Sequence, residues 1–214
     1  MDNTSLPTPP SQRAFLLRPQ VLDRIEQVVI LLMWAVFAWR MVHAPNAYAP
    51  AVMVSETAVM LFTLIRRPTG AISLRLGDWL LATTATIAPL LIIPTDNPYP
   101  ALAGLGLFLL FFGNCWQAWA KLILRRSFGI TPANRGVKIT GAYRFMRHPM
   151  YAGYLVVHLG VLVVMFSPYN LAIYAIGWVA QILRLLAEER LLAQDPAYRD
   201  YMTKVRWRLI PGIF

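Results

Sequence analysis

Along this chain apolar residues run for a helix length at a time, and polar residues gather in the intervals between them. Six apolar runs can be counted, at about 21–42, 47–65, 78–94, 101–124, 149–166 and 170–187. An α-helix rises 1.5 Å per residue, so about 20 residues cross a hydrocarbon core of about 30 Å. The third run is weakened by Pro89, and runs three, five and six lie near the lower limit for a span. The pattern predicts an all-α fold, a polytopic integral membrane bundle of about six transmembrane helices. Five spans with one re-entrant or hairpin element is the alternative.

The intervals decide orientation. Segments 43–50, 94–100 and 166–169 contain no Lys or Arg. The opposite set is basic: Arg13 and Arg18 before the first run, Arg66, Arg67 and Arg75 after the second, six basic residues from Arg125 to Arg147, and Lys204, Arg206 and Arg208 near the end. Cytoplasmic loops carry such an excess, so the alternation predicts six spans with both termini cytoplasmic. Residues 1–20 lack the apolar core of a secretory signal and read as a disordered tail.

Composition agrees with the pattern. The chain is 57% hydrophobic and only 14% charged, with a mean hydropathy of +0.51, and a soluble domain carries more charge than that. The net charge of +10 would point to nucleic acid in a soluble protein. Confined to short loops, it points instead to anionic lipid head groups, so the bilayer is the expected partner and nucleic acid is not. A single cysteine, Cys115, leaves no disulfide or zinc cluster within one chain, and no metal is expected.

Inside the runs, Glu56 is costly in lipid and should face the bundle or a partner. Gly104, Gly106 and Gly113 favour close helix packing. Asn114 and Gln117 are placed for interhelical hydrogen bonds, and His158 reads as a buried, packed histidine.

Two polar clusters remain, both on the basic side. In the first, Gly141 to Gly153, proline is favoured at the first helical turn and its predecessor is pushed out of the helix, so a helix should begin at Pro149 with His148 just outside. The first free N–H groups, from Met150 and Tyr151 onward, would make an anion site beside Lys138, Arg144 and Arg147. Tyr143 or Tyr151 could stack on an aromatic ligand. In the second cluster Arg184 and Glu188 share a helix face, and Glu189 lies about 100° around. Such a group can hold a ligand's ammonium and acid at once, although an ion-paired helix end reads equally well. Asp195-Pro196 then marks a capped helix to about Lys204, with Tyr198 and Tyr201 on one face. Residues 205–214 should lie on the membrane or fold over the site.

Gly141-Ala142-Tyr143, His148-Pro149-Met150-Tyr151, Glu188-Glu189, Tyr198, Tyr201 and Ile210-Pro211, in that order, resemble the isoprenylcysteine carboxyl methyltransferase family, and more loosely the membrane phospholipid methyltransferases. The likeness runs from Lys121 to Pro211. It implies S-adenosylmethionine as cofactor, contacted by the 135–138 segment (Val137 and Lys138), Tyr143, His148, Pro149, Tyr151 and Glu188. It implies a substrate role for Arg184. Glu189 or His148 is available as proton acceptor for a thiol or amine, whereas a carboxylate needs none. The expected activity is carboxyl O-methylation of an isoprenylcysteine-like, lipophilic molecule entering from the bilayer. Phospholipid-amine or small-thiol methylation is the alternative within the chemistry. A sterol-type reductase shares Arg-His-Pro-x-Tyr but has Asn before the tyrosine and Glu soon after the glycine, where this chain has Met150 and Tyr154. A non-catalytic lipid-binding protein is the remaining reading. The expected organisation is a tail over 1–20, a scaffold of four helices over 21–120, and a methyltransferase core over 121–214.

Overall fold

The computed structural model describes residues 19–44, 46–66, 72–73, 75–127, 129–134 and 136–214, without the side chains of Pro19, Gln20, Leu22, Asp23 and Arg126. Of the sequence expectations, residues 1–18 of the tail, with Arg13 and Arg18, and also Arg67 and Arg135 lie outside the described residues. Among the described residues seven α-helices follow in order: α1 Pro19–Val42, α2 Ala49–Ile65, α3 Leu76–Leu91, α4 Ala103–Leu124, α5 Pro149–Val164, α6 Pro168–Leu192 and α7 Pro196–Lys204. Short 3-10 turns cover Pro100–Leu102, Arg125–Ser127 and Gly141–Arg144. Among the described residues there is no strand, only an isolated bridge between Ile72 and Ala133.

Among the described residues three segments are long and apolar enough to cross a membrane: Arg24–Val42, Pro100–Leu124 and Pro168–Leu192. The short apolar helices are Ala49–Ile65, Leu76–Leu91 and Pro149–Val164. The sixth run was expected to be short, yet α6 has 25 residues, because Ser167 caps it early through Asn170 N–H and its polar end stays helical to Leu192. Large apolar side chains such as Leu32, Val36, Phe108, Phe111, Ile176 and Val179 are exposed on the bundle's outer surface. No water-soluble fold tolerates such a belt, and lipid covers it in an integral membrane protein.

Two helix pairs set the packing. In α4 and α5 glycines let backbones touch: a Cβ at Gly113 would stand 2.9 Å from the Val157 nitrogen, and one at Gly153 2.9 Å from the Gln117 nitrogen. Gly160 and Gly106 continue the seam, whereas Gly104 has open space around it and takes no part. The second pair is α3 with α6, where Gly177 faces Ala88. Gln117 reaches Ser55 at 2.9 Å and Asn114 reaches the Ala51 carbonyl at 3.4 Å, tying α2 to α4.

The polar groups sort to opposite ends. At one end Arg40 donates to the Ile92 carbonyl and Asn170 bridges Ile93 and Met165. At the other, Glu26 is ion-paired with Arg66 and accepts from Thr131 N–H, while Arg190 clasps Asp78. Both polar clusters of the sequence lie at this second end.

Candidate functional site

Helix α5 begins at Pro149, with His148 outside it at φ −125° and ψ 57°, neither helical nor extended. The amides there differ from expectation. Tyr151 N–H and Ala152 N–H both turn back onto the His148 carbonyl, at 3.1 and 3.2 Å, so Tyr151 N–H is no free anion donor. The His148 segment is held instead by the chain beyond α7: Arg147 N–H and His148 N–H donate to the Trp207 and Arg208 carbonyls, each at 2.8 Å.

Glu188 and Glu189 diverge. Glu189 is buried, and its oxygens accept from Arg147 Nε at 2.6 Å and Arg208 Nε at 2.8 Å, with His148 Nε2 at 3.2 Å. Arg147 also donates to the Val205 carbonyl at 3.1 Å. Glu188 is half-buried and takes a 2.7 Å hydrogen bond from the Tyr151 hydroxyl. The Tyr151 ring stacks on His148 on one side, 5.4 Å between centroids, and carries the Arg184 guanidinium 5.2 Å from its centroid.

Around Glu188 opens a cleft of about 650 Å³ at the basic end. Val137, Lys138, Tyr143, His148, Tyr151 and Glu188 all line it. Pro149, Arg184 and Glu189 do not: Pro149 is buried and accepts from Trp116 Nε1, and Glu189 faces its arginines. Tyr198 and Tyr201 also line the cleft. Burial, and then nearby carboxylates, push the Tyr198 hydroxyl's pKa up, and burial does the same for Tyr201 and Tyr143, so all three stay neutral. Tyr201 donates to the Tyr143 carbonyl at 2.7 Å, whereas the buried Tyr198 hydroxyl has no partner among the described residues.

A second cavity, of about 520 Å³, lies between α2, α3, α5 and α6 and is lined by Glu56, Thr86, Tyr154, His158, Gln181 and Arg184 among others. Arg184 is its wall nearest the cleft, donating to the carbonyl of Gly129, itself a cleft residue. The Arg184–Tyr151 contact lies between the cleft and this second cavity, the chamber.

Residues 106–194 match the isoprenylcysteine carboxyl methyltransferase (ICMT) family. This segment belongs to that family. No curated protein matches the chain. The match supports a membrane methyltransferase of the ICMT type. The ICMT segment spans α4 to the end of α6, and so contains the partition, Glu188 and Glu189 but not α7.

Some of the site was not visible in the residues. Arg208 as a partner of Glu189 lies 19 residues away, past α7 and a turn, and its basic flank looked like any other. The chamber takes Glu56, Val59, Ala85, Thr86 and Pro89 from spans that read as generic scaffold. Glu56, an acid in an apolar run, was the one signal pointing there.

Proposed function

We propose that the cleft binds S-adenosylmethionine, that the chamber binds a lipophilic methyl acceptor, and that the protein methylates the acceptor's carboxylate. The observation carrying this reading is Tyr151: its hydroxyl is bound to Glu188 in the cleft, and its ring lies against Arg184 of the chamber wall. Tyr151 lines the cleft and packs against a residue of the chamber wall, and the reacting groups must meet beside it.

The cleft suits the cofactor chemically. Glu188 has acceptor capacity beyond its bond to Tyr151, fit for an ammonium or ribose hydroxyls, and Lys138 is an exposed cation at the rim for a carboxylate. The unpartnered Tyr198 hydroxyl offers a further donor within the same cleft. Val137, Tyr143 and His148 supply the remaining surface, and Pro149 sets where α5 starts. S-adenosylmethionine supplies a methyl group already activated on a sulfonium. The residues contribute position and electrostatics, which suffice for an in-line displacement.

Arg184 orients the acceptor carboxylate. Glu189 is assigned a positioning role, since its oxygens already serve Arg147, His148 and Arg208. Glu189 is therefore not a free base for a thiol or amine acceptor, whereas a carboxylate needs no base. An isoprenylcysteine-like acid is accordingly the favoured acceptor. The basic end is assigned to the cytoplasm, where the cofactor enters, with six membrane-crossing helices. Because α2 and α3 line the chamber, the division into a scaffold over 21–120 and a core over 121–214 describes folding units with a shared acceptor site. The test is thermal stabilisation of detergent-solubilised protein. Stabilisation by S-adenosylhomocysteine and not NADPH, with methyl transfer to a farnesylated cysteine acid, is the expected result. Stabilisation by NADPH alone would overturn it.

A further inference from the structure

One wall of the cleft belongs to no helix and is held from a distance. Residues 129–134 lie outside the helices, and Gly129 and Ala133 line the cleft. A segment without a helix or sheet ladder of its own stays ordered only where other groups hold it. Ser73 N–H donates to the Pro132 carbonyl at 2.9 Å, beside the bridge between Ile72 and Ala133. Thr131, 3% exposed, gives two donors to one oxygen: its N–H at 3.1 Å and its hydroxyl at 2.8 Å both meet Glu26 Oε1. The other carboxylate oxygen of Glu26 accepts from Arg66 Nη2. Two residues before Thr131, the Gly129 carbonyl accepts from Arg184 Nη2 at 3.2 Å. A line of contacts thus runs from α1, through Thr131, to the arginine that stands between cleft and chamber.

Glu26 is not what docks α1. Its neighbour Gln27 donates to the Thr63 carbonyl at 3.0 Å, and Trp34 Nε1 donates to the Thr57 hydroxyl at 3.1 Å, so α1 is tied to α2 independently. A buried ion pair is a weak source of stability, since apolar residues of similar volume often serve as well. What an apolar residue cannot supply is an acceptor aimed at both Thr131 donors. We propose that Glu26 is a positioning residue for methyl transfer: through Thr131 it fixes the 129–133 segment, and with it the Arg184 guanidinium. The proposal rests on the assignment of the cleft to S-adenosylmethionine and of Arg184 to the acceptor's carboxylate. Glu26 itself lines neither cavity, and it lies outside the segment 106–194 that carries the family match. Misplacing a reacting group by about 1 Å can cost about a hundredfold in rate, so the effect belongs in kcat.

The experiment separates position from stability with two variants of the full chain in detergent. Glu26→Met combined with Arg66→Met removes both charges and the acceptor. Its melting temperature should stay close to that of the unaltered protein, while kcat for methyl transfer from S-adenosylmethionine to N-acetyl-S-farnesylcysteine falls about tenfold or more. Glu26→Gln keeps an oxygen for both Thr131 donors but leaves Arg66 without its carboxylate. It should melt lower, yet below its melting temperature keep kcat within about threefold of the unaltered protein. Thr131→Val, which loses only the hydroxyl donor, should lower kcat about threefold, and Thr131→Ser should restore it, a comparison that stands even if the double variant does not fold. A merely structural Glu26 would make turnover follow melting temperature across the set. That pattern, an unchanged kcat in the folded double variant, or equal turnover of Thr131→Val and Thr131→Ser overturns the proposal. An unaltered protein that binds no S-adenosylhomocysteine in a parallel calorimetric titration is a different result, and overturns the cofactor assignment together with everything resting on it.

Discussion

Glu188 and Glu189 are adjacent on α6 and do opposite things. Glu189 neutralises Arg147 and Arg208 and thereby pins the loop before α5 to the chain after α7. Removing it leaves Arg147 buried with only the Val205 carbonyl, and breaking a buried pair in this way costs about 3–5 kcal/mol. Glu189→Ala should therefore lower the melting temperature by several degrees, read by fluorescence-detected size-exclusion after heating. Glu188→Gln, on a half-buried acid, should leave that temperature nearly unchanged. The tyrosines around the cleft give a pH prediction. Tyr143, Tyr198 and Tyr201 all have hydroxyl pKa values raised by burial above the ordinary value near 10. A raised folded-state pKa means stability that is complete below the unfolded value and is lost as pH rises past it. Stability should hold to about pH 10 and fall beyond, with phenolate absorbance appearing together with unfolding and not before it.

Helix pairs carry the next level. The α4–α5 seam works because glycines bring backbone to backbone, with an ideal Cβ at Gly153 only 2.9 Å from the Gln117 nitrogen. Backbone cannot move aside as a side-chain tip can, so Gly153→Leu should abolish the monodisperse peak in detergent. Gly104→Ala, in open space, should be neutral and serves as the matched control. Helix starts were legible in the chain because their chemistry is local. Pro149 and the Asp195-Pro196 cap act within one turn, and the Asp195 carboxylate does accept from Ala197 N–H at 2.9 Å. The state of the Tyr151 amide was not legible in the same way. Whether an N–H is spent depends on the local backbone, and here the His148 carbonyl takes both Tyr151 and Ala152.

For the whole molecule, the bundle gathers both polar clusters at one end, where Tyr151 and Arg184 meet between the cleft and the chamber. The helical membrane architecture was legible because apolar run length and loop charge are sums over many residues. The ordered motifs pointed to the ICMT family before any geometry was known, and the segment 106–194 belongs to it. What remained hidden were long-range pairings: Arg208 with Glu189, Glu188 with Tyr151 across 37 positions, and His158 with Trp178 across 20. These follow from how helices pack, and no local pattern encodes them. The central claim is that Glu188 and Tyr151 make the floor of a cofactor cleft. The direct measurement is calorimetric titration of S-adenosylhomocysteine into the unaltered protein and into Tyr151→Phe and Glu188→Gln. A hydrogen bond to a charged group contributes about 1.5–3 kcal/mol, so Glu188→Gln should weaken binding about tenfold or more, and Tyr151→Phe should weaken it by releasing the Glu188 carboxylate it holds. Unchanged affinity in both variants, or binding of NADPH in place of S-adenosylhomocysteine, would contradict the account.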